Sequence, residues 1–146
     1  MQHSRSFSRK ALWLAAAVIG VFALTGCSSD MYPVTGKLVY EDNKQPVKEL
    51  AGFDITFTSD KIGKSARGTI KSDGTFSLYS IKENDGVFPG EYVVTLTQPE
   101  KQAERPDQGP PVVDRKYQDP ATSDLKAEVK QQSNNFTFAL KRYSGK

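Results

Sequence analysis

Residues 53–58 read Phe53-Asp54-Ile55-Thr56-Phe57-Thr58. In an extended chain Phe53, Ile55 and Phe57 fall on one side, and Asp54, Thr56 and Thr58 on the other. Alternation with a period of two, built from aromatic and β-branched residues, marks a strand with one face buried. The same alternation recurs on both sides of it. Upstream, Val34, Gly36, Leu38 and Tyr40 alternate with Thr35, Lys37 and Glu41. Downstream, Gly68 and Ile70 mark a weaker strand across 66–71, and Phe76 and Leu78 point the next one inward, with Ser77 and Tyr79 outside. Tyr92, Val94 and Leu96 alternate with Val93, Thr95 and Thr97. Leu125, Ala127 and Val129 form a short strand, and Phe136, Phe138 and Leu140 the last.

The connections carry turn chemistry. Residues 41–46, 59–65, 82–90 and 131–135 are rich in Asp, Asn, Gly, Ser, Pro and charged residues. Asp73-Gly74 between two apolar runs is a hairpin signal. Residues 98–115 carry four prolines and many charges. They predict a mobile arm over 98–111, followed by a strap over 112–125 that docks on the domain through Tyr117 and Asp119-Pro120. Pro120 suits the first position of a helical turn, and Asp119 suits its cap, accepting from the N–H of Thr122 or Ser123. Tyr92, two residues after Gly90, predicts a tyrosine corner. No long helical period follows residue 33. Seven short strands with turns between them predict an all-β, antiparallel sandwich.

The other decisive stretch lies at the N-terminus. Arg5, Arg9 and Lys10 precede an uninterrupted apolar run over 11–24, a length of 14 residues. A basic segment followed by a short apolar one reads as an export signal, since a membrane-spanning helix needs about 20 apolar residues. The run ends in Leu24-Thr25-Gly26-Cys27, and Cys27 is the only cysteine in the chain. This tetrapeptide resembles the lipobox of bacterial lipoproteins. The resemblance implies a diacylglyceryl thioether on Cys27, cleavage before it, and N-acylation of the new terminus, with palmitate as an expected acyl group. Residues 1–26 are then a lipoprotein signal peptide, 27–32 a short lipid-anchored tether and 33–143 the folded domain. Ser28 follows Cys27, and by the sorting rule of that class this favours the outer membrane, as part of the cell envelope.

Charge and residue counts narrow the chemistry. Of 20 Lys and Arg, three precede Cys27, leaving 17 against 17 Asp and Glu, so the net charge of +3 resides in the N-terminal segment. A neutral domain offers no electrostatic footprint for nucleic acid. The single His3 lies in that segment too. Without His or a free Cys, the domain lacks the usual ligands of zinc, copper and haem and any Ser-His or Cys-His nucleophile. No cofactor or metal is expected. Paired carboxylates remain as candidate acid–base groups: Asp114, Asp119 and Asp124 beside Arg115 and Lys116, with Asp42, Asp54 and Asp85 scattered. Glu83-Asn84-Asp85-Gly86 is acidic but lacks the alternating ligand set of a calcium loop.

Taken in order, Val34-x-Gly36-x-Leu38, the turn ending at Pro46, Asp73-Gly74-x-Phe76 and Pro89-Gly90-Glu91-Tyr92-x-Val94 resemble a carboxypeptidase-regulatory-like domain. The tail, Lys116-Tyr117-x-Asp119-Pro120-x-Thr122-Ser123-x-Leu125 with Asn135-x-Thr137-Phe138-x-Leu140, is similar to that of small bacterial lipoproteins built on this domain. The resemblance covers about 33–141. It implies a transthyretin-like (prealbumin-like) Greek-key sandwich at the cell surface, with no catalytic residues. Asp124 stands where the family often has glycine. The expected function is a non-catalytic, lipid-anchored module that contacts an envelope protein or a polysaccharide. The alternatives are a purely structural envelope protein and, less favoured, a carboxylate-based hydrolase. Tyr32, Tyr40, Tyr79, Tyr117 and Tyr143 are the rings available for sugar or protein contact. With Tyr40 on the inward phase, the expected interaction surface is Tyr79, Tyr117, Asp119 and Pro120.

Overall fold

The computed structural model describes residues 30–98 and 113–144. It contains seven strands: β1 (Val34–Tyr40), β2 (Asp54–Ser59), β3 (Lys64–Thr69), β4 (Thr75–Leu78), β5 (Gly90–Thr97), β6 (Lys126–Val129) and β7 (Asn134–Leu140). Single 3-10 turns form at Lys48–Leu50 and Arg115–Gln118. The strands make two sheets, a three-stranded one in the order β4-β1-β7 and a four-stranded one in the order β3-β2-β5-β6. The fold is therefore all-β, and the periodicity placed every strand.

Two features depart from the sequence reading. The expected all-antiparallel sandwich has one parallel pair: β1 runs alongside β7 in register from Val34↔Asn134 to Tyr40↔Leu140. Side-chain alternation reports which face is buried but not strand direction. A parallel pair needs a long crossover, and here the rest of the domain is the crossover. The second departure is β3, which ends at Thr69 and so excludes Ile70. Ile70 is buried, but its N–H donates to the Phe53 carbonyl (2.9 Å) ahead of β2. Its apolar side chain extends the pattern one residue past the strand.

The inward residues of both sheets meet around Phe57, which is fully buried. Its ring centroid lies 6.4 Å from Phe76, 5.9 Å from Tyr92, 5.9 Å from Phe136 and 6.0 Å from Phe138. Gly36 makes room for this cluster. A Cβ there would lie 2.5 Å from both the Phe136 carbonyl oxygen and the Phe76 ring. Gly68 has the same role where the sheets join at one edge. A Cβ on it would lie 2.1 Å from the Ser77 carbonyl oxygen, and the neighbouring Arg67 and Tyr79 exchange both backbone hydrogen bonds at 2.9 Å. The expected tyrosine corner forms: the buried Tyr92 donates its hydroxyl to the Phe88 carbonyl at 2.8 Å.

Strand direction sorts the loops onto two ends. The end where β1 begins gathers the incoming chain at 30–33 and the turns at 60–63, 79–89 and 130–133. The opposite end gathers 41–53, the 70–74 turn and the chain leaving β7. The expected Asp73-Gly74 hairpin is a tight turn that passes the chain from one sheet to the other, since β3 and β4 lie in different sheets.

Candidate functional site

The residues expected to form one interaction surface do not come together. Tyr79 sits at the β3 edge of the four-stranded sheet, half-buried, with the Arg67 guanidinium 5.7 Å from its ring centroid. The strap lies at the other edge, where Val94 donates to the Leu125 carbonyl (2.9 Å) and accepts the Ser123 hydroxyl (2.5 Å). β2 and β5 lie between the two edges.

Tyr117 is a correction. Only 2% of it is exposed, and its hydroxyl accepts from the Lys141 N–H at 3.0 Å. It docks the strap onto the exit of β7 and offers no ring to a partner. Tyr40 is buried, and Tyr32 and Tyr143 are half-buried. No aromatic platform for sugar stacking forms among the described residues. Asp119 and Pro120 are exposed. The Asp119 carboxylate accepts from the Ala121 N–H (2.8 Å), while its carbonyl accepts from Thr122 (3.1 Å) and Ser123 (2.8 Å). The expected side-chain cap therefore goes to a different donor, Ala121, while Thr122 and Ser123 bond the backbone oxygen. Cys27, Ser28, residues 99–111 of the expected arm and Val112 of the expected strap lie outside the described residues.

The scattered carboxylates each have a structural occupation. Asp124 takes the Lys116 ammonium at 2.5 Å, which holds its carboxyl below the usual range. Its backbone keeps a negative φ, since Lys44 and Asn84 are the non-glycine residues with positive φ among those described. Asp114 accepts from the Lys116 N–H (3.0 Å), Asp42 pairs with Arg142 (3.0 Å), and Asp54 accepts the Thr69 hydroxyl (3.2 Å). In the 82–90 loop, Asp85 accepts the N–H groups of Ser80, Ile81 and Lys82, each at 2.8 Å. Partial burial pushes the Asp85 carboxyl up. The N–H donors of Lys82, Ser80 and Ile81 outweigh this and leave it below the ordinary carboxylate range. Among the described residues no three His, Cys, Asp or Glu side chains converge on a point that would hold a metal.

Tyr40 is the one strongly shifted phenol. Burial, then the nearby Glu49 carboxylate, push it up to about 12, against the opposing pull of Arg142, whose guanidinium lies 3.4 Å from the ring centroid. Its buried hydroxyl has no hydrogen-bond partner among the described residues. A phenol held there keeps its proton at neutral pH and supplies no base.

An open polar recess is one feature the sequence reading missed. Strand register sets Glu91 of β5 directly opposite Glu128 of β6, and Val93 opposite Lys126. With Asp60 and Lys61 from the turn after β2, these line a recess of about 500 Å³ beside the outer face of the four-stranded sheet. Lys61 reaches the Glu91 carboxylate at 3.3 Å, and both side chains are about three-quarters exposed, at 76% and 73%. Carboxylate acceptors and ammonium donors on an open surface suit the hydroxyl and amide groups of a polar ligand. An acid–base pair works in a pocket that excludes water, and this recess is open to solvent. No signal in the sequence links Glu91 to Glu128, because the pairing is created by register.

No protein-family model matches the chain, and no curated protein matches it. Among solved structures it is similar to a DUF3823 family protein from Bacteroides ovatus, at 18% identity and a TM-score of 0.45, over 77% of this chain and 45% of that one. A DUF3823 family protein from Parabacteroides merdae gives 18% identity and 0.42 over 77% and 46%. A 9R-lipoxygenase from Cyanothece gives 14% and 0.37 over 76% and 17%. The chain thus spans less than half the length of each.

Proposed function

We propose that this protein is a non-catalytic envelope lipoprotein, held on a membrane through acylated Cys27, whose β-sandwich contacts an envelope protein or polysaccharide. The observation that carries the reading is Leu24-Thr25-Gly26-Cys27 at the end of a 14-residue apolar run, with no second cysteine. The transthyretin-like, Greek-key arrangement implied by the carboxypeptidase-regulatory-like resemblance belongs to the same proposal. So does the outer membrane as the destination, from Ser28.

The domain's chemistry agrees with a binding role. Asp42, Asp85, Asp114, Asp119 and Asp124 are held in turns and ion pairs, and the polar recess around Glu91 and Glu128 is open to solvent, which supports a contact role. One acyl chain anchors marginally, whereas two or three hold firmly. Cys27→Ser removes the sulfur that receives the lipid. The variant is expected to keep residues 1–26 and remain in the inner-membrane fraction, while the wild type is processed and recovered with the outer membrane. Normal maturation of Cys27→Ser overturns the anchor. For the contact surface, Glu91→Ala/Glu128→Ala is expected to lose capture of the envelope component that the wild-type protein retains.

A further inference from the structure

We propose that the end of the sandwich where β1 begins sits on a phospholipid bilayer, with Ile62 and Ile81 entering the headgroup boundary. This inference rests on the lipid anchor proposed for Cys27. Ile62 and Ile81 are the two exposed large hydrophobic residues among those described, at 38% and 76%. Single exposed apolar side chains are ordinary on a protein surface. These two are distinguished by position. Ile62 is in the turn between β2 and β3 and Ile81 in the loop between β4 and β5, and both turns close the same end. Ile62 also lines a recess of about 280 Å³ at this end with Tyr32, Phe88 and Pro89. Asp30, Lys64 and Gln131 complete its lining, so apolar and aromatic groups are rimmed there by polar ones.

The chain enters the domain at this same end. Asp30 lines the Ile62 recess, and only Ser28 and Ser29 lie between Cys27 and Asp30, three chain steps in all. Three extended residues reach about 10 Å. An acylated Cys27 therefore holds this end, and not the opposite one, against the membrane surface. Apolar side chains that enter a bilayer interface reach about 5–10 Å into the headgroup boundary, which is the depth available to projecting turns. Charge does not drive the seating. Lys61, Lys64, Lys82 and Lys130 at this end face Asp30, Asp60, Glu83, Asp85 and Glu91, so the end carries no excess of positive charge, and Lys61 is paired with Glu91. Zwitterionic lipid is thus sufficient, and salt has little effect. The seating fixes the domain's orientation: the 41–46 turn and the Asp73-Gly74 turn face away from the membrane.

The test is depth-dependent quenching in the full protein purified from membranes and placed in phosphatidylcholine vesicles carrying a nitroxide lipid. The single tryptophan, Trp13, precedes Cys27, so an introduced tryptophan reports one place. Gln131→Trp and Glu83→Trp probe the proposed seat, and Ser72→Trp the opposite end. Quenching at 131 and 83 is expected to be several times stronger than at 72 and unchanged by added salt. Ile62→Ser/Ile81→Ser is expected to lower it to the level at 72 without moving the thermal midpoint. Equal quenching at all three positions, or no change in the double variant, overturns the seat. The mass of the mature N-terminus is read in parallel. An acylated protein with equal quenching loses the seat and keeps the anchor. An unacylated protein with strong quenching at 131 and 83 loses the lipid reading and keeps the seat. An unacylated protein with equal quenching loses both.

Discussion

Phe138 shows how much of this fold rests on single side chains. It is 7% exposed, stacks on Phe76 at 6.2 Å and on Phe136 at 5.9 Å, and meets Phe57 edge-on. Phe138→Ala leaves a cavity between the sheets, and the expected cost is about 3–5 kcal/mol, a large part of a small domain's stability. A urea titration that moves the midpoint only slightly would place Phe138 outside the core. Asp85 acts through hydrogen bonds instead of packing. Its carboxyl lies below the ordinary range in the folded protein, whereas unfolded aspartate titrates near about 3.9. A depressed acid contributes fully above the unfolded value and loses that contribution as the pH falls through the folded one. Asp85→Asn is thus expected to cost about 1 kcal/mol at neutral pH, the size of a lost helix cap. The gap to wild type should close as the pH falls through the lowered titration of the folded carboxyl. A gap of constant size across that range would show that the charge is irrelevant to the loop.

Among the elements, the strap over 113–125 is the best example of tertiary control. The sequence predicts that it docks, and the tertiary structure supplies its partners. Its order comes from Tyr117 beneath it, from Ser123 bonded to Val94, and from Val113 bridging Arg142. These contacts lie on the far side of residues 99–112 and do not depend on them. Deleting 100–109 is therefore expected to leave the thermal midpoint within a few degrees of wild type, since loop-closure entropy changes slowly with length. A large loss of cooperativity would show that the deleted residues carry part of the core. The Asp119-Pro120 turn was legible because its side chains act locally. The docking of the strap through Tyr117 was legible too, but its partner at the exit of β7, some 24 positions along the chain, was not.

For the molecule as a whole, the closing contact is the parallel pair of first and last strands. β7 covers the full length of β1 and contributes Phe136, Phe138 and Leu140 to the inner face. A chain ending at Ser133 is expected to lack a cooperative unfolding transition, whereas removal of Ser144 to Lys146 should leave it intact. A cooperative transition in the shorter chain would make β7 an appendage. The sequence by itself determined the seven strands, their buried faces, the tight turn at Asp73-Gly74 and the tyrosine corner. Each of these follows from local alternation, turn propensity or a bond to a residue nearby in the chain. That β3 and β4 on either side of this turn go to different sheets was not in it. Only the tertiary structure decided the parallel β1–β7 register, the facing of Glu91 and Glu128, the withdrawal of Tyr117 and the gathering of Ile62 and Ile81 at one end. All four depend on which distant segments are brought side by side. A one-residue change of register turns a side chain from the core to the solvent, and nothing within a single strand encodes its partner.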